Sequence, residues 1–133
     1  MPERGRLTWG NTAGETRKVE SVPELDALLD ELQTQAAAGQ PLIAELSIPD
    51  RGTLAMGLGL GLTVLNHTPA SLDPPYLHSV GPAKDGDDLV FYYYGHWTEF
   101  SHAYAISLDE GREAMRHFLR KGTLLSSVRW EET

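Results

Sequence analysis

Carboxylates are concentrated in one short run of the sequence, Asp85-Gly86-Asp87-Asp88, and a further acid, Glu99, and a base, His102, follow it. A carboxylate paired with a histidine can perform general acid–base catalysis when a pocket brings the two groups within hydrogen-bonding distance. The same run can equally be a solvated surface turn. The pattern therefore indicates either a small carboxylate-dependent enzyme or an acidic binding surface.

Aromatic residues next to this acidic run favour the binding surface. Tyr92, Tyr93 and Tyr94 precede the turn at Gly95-His96, and Trp97 follows it. Tyrosine and tryptophan give large contact areas at interfaces, and acidic groups steer a basic partner toward them. Tyr93 and one of its neighbours are expected to face the core. We predict a partner-binding surface formed by Asp85, Asp87, Asp88, Tyr94, Trp97 and Glu99.

Metal and nucleotide chemistry is not indicated. The sequence has no cysteine, so thiolate metal sites and thiol nucleophiles are excluded. None of its five histidines lies four residues from another, the spacing that places two ligands on one face of a helix. The run Gly57-Leu58-Gly59-Leu60-Gly61 lacks the spacing of a phosphate-binding loop, and no lysine follows it. We predict that no metal and no organic cofactor is bound specifically.

The formal net charge of −8 is distributed unevenly along the 133 residues. Between Val22 and Glu110, thirteen carboxylates stand against two basic residues, which gives a net charge of −11. Such a surface repels nucleic acid and anionic lipid and attracts a cationic partner. The N-terminus has no apolar signal segment, and the longest apolar run is short and interrupted by glycines. We expect a cytoplasmic protein that binds neither membrane nor nucleic acid.

Two helices are predicted, one from Val22 to about Ala38 and one from Ser107 to Gly122. Each opens with a serine followed three residues later by a glutamate, the spacing of a capping box. Each then carries apolar residues at helical spacing and ends at a glycine, Gly39 or Gly122, where a left-handed residue can close a helix. Because each helix has one apolar face, each is expected to cover another layer.

The remaining segments predict a β-sheet, with the domain spanning residues 1–133. The order of elements indicates an α+β fold, an antiparallel or mixed β-sheet with two helices packed on one face. Residues 1–20 are expected to form an edge strand, at Leu7-Thr8-Trp9, or a flexible arm. Trp130 is expected to be buried. A hairpin is predicted within Thr53 to Leu65, and its three-residue loop Gly59-Leu60-Gly61 would keep Leu58 and Leu62 on one face of the sheet. The other predicted elements are a strand from Leu42 to Ile48, a hairpin of Leu89 to Tyr94 and Thr98 to Ile106, and a strand from Ser127 to Glu131.

Residues that are expected to form the core and the turns recur in a characteristic order along the chain. They are Leu25, Leu28 and Leu29; Gly52-Thr53-Leu54 and Leu65; Pro75-Tyr76-Leu77-His78-Ser79-Val80-Gly81; Val90-Phe91-Tyr92; and Ala114, Phe118, Gly122, Val128 and Trp130. Over roughly residues 19–131 this order resembles immunity protein family one of bacterial polymorphic toxin systems, whose members are encoded beside toxins that are often deaminases. The resemblance implies an inhibitor without catalytic activity.

The residues predict an acidic surface that binds a cationic macromolecule, and the resemblance implies that this partner is a cognate toxin, which an immunity protein neutralises. Its acidic surface would occlude the basic active-site groove of a toxin that acts on nucleic acid. The alternatives are a small carboxylate-dependent enzyme and an adaptor or secretion chaperone, which would show a polar pocket and exposed apolar surface, respectively. The outer side of the first helix, with Asp26, Asp30 and Glu31, is an alternative acidic binding face.

Overall fold

The computed structural model of the protein describes residues 5–9, 15–83, 85–93 and 96–133. It has the predicted α+β fold, in which two helices pack on one face of a mainly antiparallel sheet. The elements in chain order are β1 (Gly5–Trp9), β2 (Glu15–Val19), α1 (Val22–Ala38), β3 (Leu42–Ile48), β4 (Gly52–Leu58), β5 (Leu62–Thr63), β6 (Leu65–Thr68), β7 (Leu77–Val80), β8 (Leu89–Tyr93), β9 (His96–Phe100), β10 (Ile106–Ser107), α2 (Leu108–Lys121) and β11 (Arg129–Glu132).

Both helices begin and end where their capping residues predict. In each, the serine hydroxyl before the helix accepts a hydrogen bond from the amide of the glutamate three residues on, at 3.3 Å in α1 and 3.1 Å in α2. Gly122 closes α2 in the left-handed conformation, with φ of 70°. Gly39 ends α1 without that conformation, at φ of −127°, and its backbone N–H donates a hydrogen bond to the Gln35 carbonyl. The expected left-handed Gly39 is therefore wrong.

The sheet has the strand order β11-β7-β6-β4-β3-β1-β2, and β8 adds a parallel pairing of Tyr92 beside Leu42. Its helix side forms the main core, in which apolar side chains from both layers are almost fully buried. Burial of one such side chain stabilises the fold by about 1.5–3 kcal/mol. These side chains include Leu25, Leu29, Leu46, Leu54, Met56, Met115 and Phe118.

The opposite side of the sheet is covered in part by the hairpin of β8 and β9. Phe91 of β8 is fully buried and lies against Gly57 of β4, where a Cβ atom would stand 2.4 Å from the Phe91 ring. A glycine in a strand interior permits this close approach. Ile43, Val64 and Leu89 complete a second, smaller core with Phe91. This second core holds the hairpin on the sheet.

The predicted three-residue loop after β4 is not formed. Strand β4 pairs with β6 so that Met56 lies beside Leu65, and residues 59–64 connect the two strands. Leu58 packs in the main core, whereas Leu62 packs against the second core. The two leucines therefore do not share a face, and the prediction that they would is wrong.

Long-range hydrogen bonds explain the longer connection. The side-chain amide of Gln33 on α1 accepts from the Gly59 N–H at 2.9 Å and donates to the Leu60 carbonyl at 3.3 Å. The buried Thr63 hydroxyl donates to the Gly57 carbonyl at 2.7 Å. Gly59 adopts a φ of 107°, which ends the alternation of the strand. The loop is thus held from a helix that is distant in the sequence.

The second strand of the predicted hairpin is shorter than expected. Strand β9 ends at Phe100, and a 3₁₀ turn, His102–Tyr104, follows it before β10. The Ser101 hydroxyl accepts from the Ala103 N–H at 3.3 Å and so begins this turn. The predicted strand from Thr98 to Ile106 is therefore two short strands separated by a turn.

The two ends of the chain also differ from expectation. Leu7-Thr8-Trp9 lie in an interior strand, since β1 pairs with both β2 and β3, and β2 forms the edge. Trp130 is only half-buried because β11 lies at the other edge of the sheet, and its indole N–H donates to the Leu125 carbonyl at 3.0 Å. The expected full burial of Trp130 is wrong.

Candidate functional site

The hairpin of β8 and β9 divides its side chains between two faces. Side chains alternate along a strand, so Phe91, Tyr93 and Phe100 face the sheet and pack in or against the second core. Tyr92 and Trp97 lie opposite each other in the register and face away from the sheet. The inward residues therefore hold the hairpin in place, and the outward residues are available for contact.

Trp97 dominates the outer face of the hairpin. Its side chain is 62% exposed, and its indole Nε1–H donates a hydrogen bond to Glu99 Oε1 at 2.6 Å. Its ring meets the Tyr92 ring edge to face, with centroids 5.9 Å apart. These contacts orient the indole and leave most of its apolar surface exposed. Tyr92, Trp97 and Glu99 are called the hairpin patch below.

Asp85, Asp87 and Asp88, called the acidic loop below, are exposed immediately before β8. The Nδ1 atom of His102 lies 3.0 Å from the backbone carbonyl oxygen of Asp87. A Cβ atom at Gly86 would come within 2.6 Å of the His102 ring. His102 therefore fixes the backbone of the acidic loop, and its Nδ1 contacts a carbonyl oxygen rather than a carboxylate.

The acidic loop leads directly into the hairpin that carries the hairpin patch. Asp88 directly precedes the first residue of β8, and Glu99 lies opposite Val90 in the register of β8 and β9. Among the six predicted site residues, the structure brings Trp97 and Glu99 into contact and places the three aspartates on the loop that leads into their hairpin. Tyr94 lies outside the described residues.

The alternative acidic face on α1 is largely neutralised. Asp26 Oδ1 accepts hydrogen bonds from Arg116 Nε at 2.8 Å and Arg112 Nη2 at 3.3 Å, and Asp30 Oδ1 accepts from Arg112 Nη1 at 2.9 Å. The hydrogen bond to Asp26 raises the pKa of Arg116 above its usual value. These pairs join α1 to α2. Of the three carboxylates considered there, Glu31 is the one outside this network, and it accepts from Gln35 on its own helix.

A groove between the sheet and the inner face of the hairpin is a feature that the sequence did not predict. It has a volume of about 250 Å³ and is called the back groove below. Among the described residues that line it, Glu45 alone is charged. Glu45 Oε1 accepts a hydrogen bond from the Tyr93 hydroxyl at 2.9 Å. Other lining residues are Thr53, Ala55, Asn66, Thr98 and Phe100.

Comparison with known proteins identifies the family. The family model described as "Immunity protein Imm1" matches residues 13–132, nearly the whole chain. The chain belongs to the Imm1 family of immunity proteins. A search of the curated proteins found no match.

Family membership confirms the predicted family and the coarse function. An Imm1 immunity protein has a toxin-neutralising role, which requires binding to a cognate toxin and no catalysis of its own. Within the described residues, no three histidine, aspartate or glutamate side chains are grouped so that they could hold a metal ion. No helix in the described part of the chain is long and apolar enough to cross a membrane.

Proposed function

We propose that the immunity protein closes the active site of its toxin with the hairpin patch and the acidic loop, in the cytoplasm. The observation that carries this proposal is Trp97, a large side chain that is 62% exposed and held in orientation by Glu99. Tryptophan is enriched among the residues that dominate binding energies. An oriented side chain also loses less conformational entropy on binding. On sequence grounds, Tyr94 is included in the proposed surface.

The charge distribution supports a basic toxin. Asp85, Asp87 and Asp88 are exposed, whereas Asp26 and Asp30 are paired with arginines. A toxin that acts on nucleic acid needs a basic groove to bind phosphates. Attraction between that groove and the acidic loop would raise the association rate, toward about 10⁸ M⁻¹s⁻¹ at low salt.

The proposed toxin is a deaminase-type enzyme that acts on nucleic acid. Such an enzyme takes one base into a pocket, where a zinc-bound water and a glutamate perform the reaction. Trp97 has the flat aromatic surface of a stacked base, and the carboxylates of Glu99 and of the acidic loop carry negative charge as the phosphates do. The hairpin would therefore occupy the mouth of the pocket in place of the substrate. Inhibition by this route needs no chemistry from the immunity protein.

The test measures rates of binding to a catalytically inactive variant of the cognate toxin. Trp97→Ala is expected to speed dissociation and to weaken the affinity at least about 30-fold, which corresponds to about 2 kcal/mol. The triple variant Asp85→Asn, Asp87→Asn and Asp88→Asn is expected to slow association and to reduce its salt dependence, because steering acts before contact.

A matched control removes three exposed carboxylates outside the hairpin, through Glu20→Gln, Glu131→Gln and Glu132→Gln. This control is expected to bind the toxin and to protect cells almost as well as the wild type. All variants are first compared by circular dichroism and thermal unfolding. If the folded hairpin variants protect as well as the wild type, the hairpin assignment is wrong, while the immunity role still stands on the family match.

A further inference from the structure

The hairpin has a free strand edge as well as an outer face. Strand β9 pairs with β8 along one edge, and within the described residues no strand pairs with its other edge. We propose that an extended segment of the toxin pairs with this free edge through backbone hydrogen bonds and adds a third strand to the hairpin. This inference rests on the proposed function, because it takes the toxin as the partner, and it states how the toxin is held.

The backbone groups at the free edge belong to Trp97 and Glu99. Successive residues of an antiparallel strand direct their N–H and C=O groups alternately toward one neighbour and toward the other. The Tyr92 N–H donates to the Pro41 carbonyl at 2.9 Å, so Tyr92 directs its backbone groups away from β9. Trp97 lies opposite Tyr92 in the register, and it therefore directs its own N–H and C=O away from β8, as does Glu99 two residues later. In the described part of the chain, no backbone hydrogen bond reaches these four groups.

The composition of β9 leaves this edge less protected than the strands at the two ends of the sheet order. In β9, Glu99 is the one aspartate, glutamate, lysine or arginine among five residues, and Trp97, Thr98 and Phe100 favour strand structure. Charged side chains on an exposed edge discourage pairing with another chain. Each end strand carries three of them, which are Glu15, Arg17 and Lys18 in β2 and Arg129, Glu131 and Glu132 in β11. The edge of β9 is therefore the one best suited to accept a further strand.

Charge favours a basic toxin segment over a second copy of this chain. Two copies would each bring a formal net charge of −8, and like charges oppose association. The exposed acidic loop leads into the same hairpin and would attract a basic segment. Side chains on neighbouring strands interact across one face. The paired toxin segment is therefore expected to place a basic side chain beside Glu99 and an apolar or aromatic one beside Trp97.

Hydrogen exchange tests the pairing in the unmodified protein. Backbone amides of the ¹⁵N-labelled protein are followed by NMR, free and bound to a catalytically inactive variant of the cognate toxin. The Trp97 and Glu99 amides are expected to exchange fast in the free protein and at least about 100-fold more slowly in the complex. Fast exchange of both amides in the complex would overturn the inference.

The Glu132 amide is the matched control for exchange, because it lies at the edge of β11. The N–H of its neighbour Thr133 donates to the Tyr76 carbonyl at 2.8 Å, so Glu132 directs its backbone groups away from β7. Its exchange is expected to be the same in the free protein and in the complex. Equal slowing at Glu132 and Glu99 would show a general effect of binding and would also overturn the inference.

Proline tests the backbone hydrogen bond itself. Glu99→Pro removes the outward N–H and leaves the bonds between β9 and β8 in place, because those bonds come from the alternate residues. Glu99→Ala removes the same carboxylate and keeps the N–H. Glu99→Pro is expected to bind the toxin at least about tenfold more weakly than Glu99→Ala, because a toxin carbonyl loses its donor. Glu132→Pro, the matched proline at the edge of β11, is expected to bind like the wild type.

The comparison with Trp97→Ala separates this inference from the proposed function. All variants are first compared by circular dichroism and thermal unfolding, and if Glu99→Pro does not fold, the exchange measurement decides. If Trp97→Ala loses affinity and Glu99→Pro binds like Glu99→Ala, the edge pairing fails and the proposed function stands. If Glu99→Pro is weaker than Glu99→Ala and Trp97→Ala binds like the wild type, the edge pairing stands and the Trp97 anchor fails.

Sedimentation of the free protein tests the choice of partner. The wild type is expected to remain a monomer as its concentration is raised. A dimer that forms in the wild type and is lost in Glu99→Pro would show that a second copy occupies the edge, and it would overturn the assignment to the toxin.

Discussion

The helix side and the hairpin side of the sheet both carry carboxylates, but the carboxylates have different surroundings. On the helix side, Asp26 and Asp30 lie 2.8–3.3 Å from the guanidinium nitrogens of Arg112 and Arg116. On the hairpin side, the acidic loop is exposed and Glu99 accepts a hydrogen bond from an indole N–H. The same residue types therefore join two helices in one region and form a negative surface in the other.

This comparison shows why net charge alone does not locate a binding surface. A carboxylate that already has two guanidinium partners would have to give up those bonds to bind a toxin. An exposed carboxylate keeps its full electrostatic attraction for a basic partner and loses only water. The region that is less constrained by internal pairing is therefore the better candidate for recognition.

The largest expected effect tests whether both sides depend on a buried core. Phe91→Ala, on the hairpin side, and Phe118→Ala, on the helix side, each remove a fully buried ring. Each should lower the free energy of unfolding by about 3–5 kcal/mol through the cavity that remains. Urea unfolding monitored by circular dichroism measures both losses. A loss below about 1 kcal/mol for Phe91→Ala would show that the hairpin is not packed firmly on the sheet.

An intermediate effect is expected from the carboxylates themselves. Asp26→Asn removes the charged acceptor of two arginines and should cost about 1–3 kcal/mol of unfolding free energy, since the group is about one-third exposed. The acidic-loop triple variant should change the unfolding free energy by no more than about 0.5 kcal/mol. Urea unfolding at low and high salt measures both, and the Asp26→Asn loss should shrink at high salt. Equal losses in the two variants would contradict the comparison.

The smallest expected effect concerns the support of the acidic loop. His102→Ala removes the contact with the Asp87 carbonyl and should lower the free energy of unfolding by about 0.5–1.5 kcal/mol. His102→Asn can restore a hydrogen-bond donor and should recover part of that free energy. Thermal unfolding measures the stability, and amide exchange at residues 85–88 reports on the loop. Unchanged exchange in His102→Ala would show that other contacts position the loop.

Several elements could be predicted because their causes are local. The capping serines Ser21 and Ser107 act on an amide three residues away, so the start of each helix is visible in a few residues. Two residues of the hairpin patch, Trp97 and Glu99, could be named for the same reason, since they are two residues apart. Tyr93 faces the core as predicted, whereas the sequence left open which neighbouring tyrosine faces outward, and the structure places Tyr92 there.

The features that were missed depend on distant parts of the chain. The connection after β4 is held by Gln33, which lies on α1 and is 26 residues from Gly59. The back groove depends on the contact between Glu45 and Tyr93, which are 48 residues apart. A signal for Glu45 did exist, since it is the acid within the otherwise uncharged strand Leu42–Ile48. Glu45 is two residues from Ile43 and so shares its side of the strand, opposite Ala44 and Leu46 of the main core.

The sequence by itself determined where the helices and most strands lie, the acidic character of the central stretch, and the family. Helix capping and strand alternation depend on residues that are close in the sequence, and composition is a property of the sequence itself, so all three can be predicted without the fold. Only the tertiary structure decided which carboxylates are paired, because Asp30 and Arg112 are 82 residues apart and Asp26 and Arg116 are 90 apart. Electrostatic energy depends on the separation and burial of charges, and the fold sets both.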